Sequence, residues 1–96
     1  MNIAGYNFQG TYDPYRGFVN KIAAVYAIVD DQQKLIDVSH TDDLNNRFPN
    51  HPRQNCWGRN KNGDLHPYIL HVADERIRLQ IESLIRNQYN PSCGYR

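Results

Sequence analysis

Between Ala24 and His51 the apolar and polar positions are ordered most clearly. Val25, Tyr26, Ile28 and Val29 form a β-branched and aromatic run, Asp30 to Lys34 is a polar break, and Leu35, Ile36 and Val38 form a second run. Two such runs around a tight turn predict a hairpin, with strands over Lys21 to Asp30 and Lys34 to His40. Alternation sends Tyr26 and Ile28 to one face and Val25, Ala27 and Val29 to the other. Both faces are apolar, so a central strand covered on each side is expected. After the hairpin, Thr41 suits a helix N-cap, Asp42 and Asp43 suit its positive end, and Leu44 and Phe48 fall four apart on one face. This helix should stop by Pro49, because a proline and the residue before it disfavour continuation.

The rest of the chain is read in the same way. His51 to Asp64 is rich in Gly and Asn and reads as a loop, with a turn signal at Asn62-Gly63. Leu65 to Val72 is a third strand, which Pro67 suggests lies at a sheet edge. Asp74 should cap a last helix running to about Gln88, whose buried stripe would be Ile77, Ile81, Leu84 and Ile85, with Glu82 on its border. Residues 1–20 carry Tyr6, Phe8, Tyr12, Tyr15 and Phe18. Aromatics at that density are costly to leave in water, so an irregular arm over the core is expected, with a short strand at Tyr6 to Phe8, or else a contact to a second copy or a protein partner.

Ninety-six residues make a single domain too small to enclose a large substrate cavity. Hydrophobic content of 40% and charged content of 22% are ordinary for a globular protein. No apolar run approaches the roughly 20 residues a bilayer span needs, and the N-terminus has neither the basic start nor the apolar stretch of a secretory signal. A cytoplasmic protein without a membrane partner is therefore expected. Cys56 and Cys93 have no CxxC spacing and read as unpaired thiols, with a disulfide or a zinc site completed by histidines as the alternatives. A net charge of +1 is uninformative, but its distribution is not. Leu44 to Gly63 holds no acidic residue, while Arg47, His51, Arg53, Arg59 and Lys61 lie there with Trp57 among them. Such a patch could neutralise phosphates and stack a base, or be a solvated loop with no role.

The order Tyr26, hairpin, Thr41-Asp42-Asp43-Leu44, Arg47, His51, a helical Glu82 and Tyr89-Asn90-Pro91 resembles the GIY-YIG nucleases. Their namesake triplets lie on adjacent strands before an arginine-bearing helix. The triplets here would be Ala24-Val25-Tyr26 and Asp37-Val38-Ser39, and the likeness covers residues 21–91. The first triplet keeps its tyrosine without its glycine; the second keeps neither. The resemblance implies an α/β domain of the α+β type, with a small three-stranded mixed or antiparallel sheet flanked by helices.

It also implies a chemistry. Phosphodiester hydrolysis needs an activated water, a cation for the developing charge and a proton for the leaving oxygen. Glu82 would hold a hydrated Mg2+ or Mn2+, Arg47 would bridge phosphate oxygens, Tyr26 would orient or deprotonate the water, His51 would assist and Asn90 would hold the local geometry. Arg53, Trp57, Arg59, Lys61 and Asn90 would contact the nucleic acid, expected to be DNA. Asp37 stands where a tyrosine is expected, and its charge repels phosphate unless it joins Glu82 at the metal. Each residue also has a plain structural reading. Tyr26 could be core, Arg47 could pair with Asp43, Glu82 could pair with Arg78 or Arg86, His51 could be solvated, and Asn90 could start a turn. Two functions follow: a small metal-dependent endonuclease, or a binding module for nucleic acid or protein that keeps the frame without efficient cutting.

Overall fold

The structure is a computed structural model and describes residues 1–13, 21–44 and 51–94. It is a mixed α+β fold. Within those residues lie strands β1 (Asn2–Ile3), β2 (Tyr6–Asn7), β3 (Gln9–Gly10), β4 (Ala24–Val29), β5 (Leu35–Thr41) and β6 (His66–His71), and helices α1 (Gln54–Asn60) and α2 (Glu75–Tyr89). The main sheet is antiparallel and four-stranded, in the order β3-β6-β4-β5, and β1 and β2 form a separate hairpin. The fourth strand was not expected. It comes from the N-terminal arm, which adds Gln9 and Gly10 beside Ile69 and Tyr68.

Central placement of β4 follows from its residues: all six are buried, between β5 on one side and β6 on the other. The β4–β5 turn is organised by Asp30. Its Oδ1 accepts the N–H groups of Gln32 and Lys34, and its Oδ2 accepts both the backbone and the side-chain N–H of Asn62. Gly63 next to that contact has φ +81°, and a Cβ there would fall 2.0 Å from Asp31 Oδ2. The positive φ favours glycine at this position, and any side chain would also push the Asp31 carboxylate aside.

The expected edge position of the third strand needs correction, since β6 lies between β3 and β4. Pro67 is tolerated there because β3 pairs only as far as Tyr68, and the Pro67 carbonyl still accepts from Tyr12 N–H at 3.1 Å. Donor and acceptor of one antiparallel residue point the same way, so the missing N–H faces the side where β3 has already ended.

Two cores lie on the two faces of the sheet. On one, Tyr26, Ile28, Ile36, Leu44, Trp57 and Ile69 pack together. On the other, Val25, Ala27 and Val38 meet Ile81 and Ile85 of α2 and Ile3 and Phe8 of the N-terminal arm. The arm is thus spent partly on the chain's own core. Its β1–β2 loop has Ala4 at φ 54° and Gly5 at φ 87°, the positive pair that a two-residue type I′ hairpin requires.

Three further expectations change. The segment His51 to Asp64 is not all loop, because α1 forms within it and buries Trp57. In α2, Ile77 and Leu84 are 47% and 46% exposed, and the buried positions are Arg78, Ile81, Ile85 and Arg86. Both arginines find acceptors inside: Arg78 Nη1 donates to the carbonyls of Val72 and Ala73, which closes the β6–α2 turn. The cysteines are not free thiols; Cys56 and Cys93 form a disulfide with Cα atoms 6.0 Å apart. Persistent disulfides belong to oxidising compartments, which sets this pairing against the cytoplasmic expectation. Asp74 caps α2 as expected, accepting from Ile77 N–H at 3.1 Å, and Asn90 ends the helix in the left-handed region at φ 53°. No helix among the described residues is long and apolar enough to cross a membrane.

Candidate functional site

Asp37 is the centre of the site. It lies on β5 opposite Ile28 and is wholly buried. Its face is the Tyr26 face, since Tyr26 pairs with Ser39 two positions along. A buried carboxylate must be matched or it is very costly. Three donors match it here. Arg53 Nε reaches Oδ2 at 2.7 Å and Trp57 Nε1 reaches the same oxygen at 2.8 Å, both brought by the start of α1 and the turn before it. Arg86 Nη2 comes round the outer side of β5 from α2 and reaches Oδ1 at 2.9 Å.

Arg86 is itself saturated. Its Nη1 donates to Cys93 carbonyl at 3.0 Å, its Nη2 also donates to the Val38 carbonyl, and its Nε donates to Glu82 Oε2 at 3.2 Å. Gly94, at φ +97°, lies against this guanidinium; a Cβ there would fall 2.2 Å from Nη2. The segment after α2 therefore closes over Arg86 only because residue 94 has no side chain.

The second half of the site is the Tyr26–His51 pair. Tyr26 Oη and His51 Nε2 are 2.5 Å apart, with both residues buried. His51 Nδ1 accepts the Arg53 backbone N–H at 3.1 Å, so the ring proton is assigned to Nε2 and is donated to the tyrosine oxygen. Trp57 lies over His51 with ring centroids 4.4 Å apart, which joins this pair to the Asp37 cluster.

The residues singled out in the sequence fall into four groups. Tyr26, His51, Asp37 and Trp57 form one buried network with the half-buried Arg53, and Glu82 joins it through Arg86. Glu82 and Tyr26 nevertheless belong to opposite faces of the sheet, as the cores around them show. Arg59 and Lys61 lie at the end of α1, Arg59 exposed and Lys61 half-buried, and Asn90 is the exposed cap of α2. Arg47, with most of the helix expected to begin at Thr41, lies outside the described residues. Trp57 is fully buried, so its ring is not presented for base stacking.

The fit to magnesium is poor. Asp37 is sealed by three N–H donors, and Glu82 has a guanidinium on Oε2 and His40 Nε2 3.8 Å from Oε1. Among the described residues no group of three or more His, Cys, Asp or Glu is arranged to hold a metal. The arginine–aspartate cluster was missed in the sequence. Its signal was there: a charged residue between Ile36 and Val38, on a face that alternation assigns to the core. Comparison with protein-family models, with curated proteins and with solved structures returns no match.

Proposed function

We propose that the chain is a nucleic-acid-binding module on a GIY-YIG-like frame, in which the position of the second tyrosine has become a structural carboxylate. The observation that carries this reading is Asp37, which spends Arg53, Arg86 and Trp57 inside the protein. A phosphate brought to this point meets arginines already neutralised. Contacts to the backbone of a nucleic acid then fall to Arg59 and Lys61, on a stretch without acidic residues.

A second reading, a metal-dependent endonuclease acting on DNA, is favoured by the Tyr26–His51 contact, which sets two groups able to exchange a proton side by side. The two readings separate in one experiment. Labelled single- and double-stranded DNA and RNA are titrated with the protein over a salt series, with Mg2+, Mn2+ or chelator, and the strands are then sized. The binding module gives intact strands and salt-sensitive binding. Arg59→Glu with Lys61→Glu lowers the slope of log K on log salt by about 2, one phosphate contact each. Cutting that needs metal and disappears in Glu82→Gln overturns the module in favour of the nuclease, and binding absent at every salt concentration overturns both.

A further inference from the structure

The Cys56–Cys93 bond stands at the junction of the elements that hold Asp37. Cys56 is on α1, whose seven residues are too few to be stable as an isolated helix. Cys93 is tied to β5, its N–H donating to the Ile36 carbonyl at 2.9 Å, and to α2, its carbonyl accepting from Arg86 Nη1 at 3.0 Å. The bond thus joins α1, which with the turn before it supplies Trp57 and Arg53 to the carboxylate, to the segment that covers Arg86. One observation marks this closed arrangement as imperfect. Arg53 Nη2 is buried and has no hydrogen-bond partner among the described residues, a cost that opening would relieve by hydration.

We propose that the disulfide is a redox latch on the Asp37 cluster. Cys93 is 1% exposed whereas Cys56 is half-buried, so Cys56 is the more accessible of the two residues to a reductant. A thiolate of a dithiol reductant attacks Cys56 Sγ, the S–S bond breaks, and Cys93 leaves as a thiolate. Asn60 Nδ2, 3.6 Å from Cys93 Sγ, donates to the departing sulfur. The reductant's second thiol then resolves the mixed disulfide. Two electrons and two protons have passed to the cysteines, and the reductant has become a disulfide. With the bond gone α1 lifts, Arg53 leaves Asp37 and adds a third cation to the Arg59 and Lys61 surface.

The gain in binding rests on the nucleic-acid reading above; the latch itself does not. The oxidised full chain is treated with dithiothreitol, reduction is confirmed by mass, and three signals are followed: emission of the single tryptophan, Trp57; hydrogen exchange; and affinity for a labelled DNA oligonucleotide. The expected result is a red shift and exchange on the order of tenfold faster in residues 53–60 and 90–94, with β4 and α2 unchanged and full reversal on reoxidation. DNA affinity should rise severalfold at low salt, by about one phosphate contact. Cys56→Ser with Cys93→Ser should reproduce the reduced state without reductant. Complete reduction that leaves emission and exchange unchanged overturns the latch. So does loss of protection throughout β4, which makes the bond a global staple, or free thiols in protein purified without reductant. Opening with no DNA binding in either the oxidised or the reduced state keeps the latch and overturns the binding reading.

Discussion

The two faces of the sheet are built by different physics. Against Val25, Ala27 and Val38, α2 sets Ile81 and Ile85, a contact made of dispersion and lost water that tolerates small changes of shape. Around Asp37 on the other face the chain uses charged, directed bonds to two arginines and an indole. Such a cluster has little net advantage over an apolar core, but it is strongly destabilised when one member is taken away. The α2 face can thus drift in sequence residue by residue, whereas the Asp37 face has to change as a set.

The comparison breaks first at its centre. Asp37→Ala takes the counter-charge from Arg53, leaves Arg86 with Glu82 alone and should cost about 4 kcal/mol in urea unfolding. An effect under about 1 kcal/mol would mean that the cluster relaxes as easily as the apolar face. Trp57→Phe keeps the buried ring and removes one N–H bond to a carboxylate, an expected loss of about 2 kcal/mol by the same measurement. Ile81→Val on the opposite face removes one methylene and should cost about 1 kcal/mol, the smallest of the three.

Acid provides the mildest test. Burial raises the Asp30 pKa, but the hydrogen bonds from Lys34, Asn62 and Gln32 outweigh it and hold the group at about 2, below its ordinary 3.8. A carboxyl lowered on folding stabilises the protein above its unfolded value and loses that contribution as pH falls through the folded one. Thermal midpoints should therefore decline between about pH 4 and pH 2, and Asp30→Asn should flatten that part of the decline. Asp31 shifts the same way, first through its hydrogen bond from His66, so some decline persists in the variant.

What could be read from the sequence was local. β4, β5 and α2 announce themselves by periodicity, and Asp74 by cap chemistry. Helix α1 did not, because seven residues gain their stability from Trp57 entering the core rather than from any pattern of their own. Nor did β3, which exists only because Gln9 and Gly10 meet a strand far along the chain. The stripe expected on α2 was displaced for a related reason. Ile77 and Leu84 look like core positions until Arg78 and Arg86 find backbone carbonyls and Asp37 to satisfy them. At the site, the resemblance groups Tyr26 and His51 with Glu82; a hydrogen bond joins the first two, whereas Glu82 lies on the opposite face of the sheet. The part played by Asp37 was not legible, since whether a strand carboxylate faces a metal or two arginines depends on partners 16 and 49 residues away.

Cys93 and Arg86 also take the outward carbonyls of β5, those of Ile36 and Val38. β5 is the outermost strand, and an outer strand with open acceptors is a template on which a second chain can pair. Cys93 and Arg86 thus occupy acceptors on which another strand could pair. A chain cut after Asn90 should elute at rising apparent mass as its concentration increases, even where its helices and its core survive the truncation.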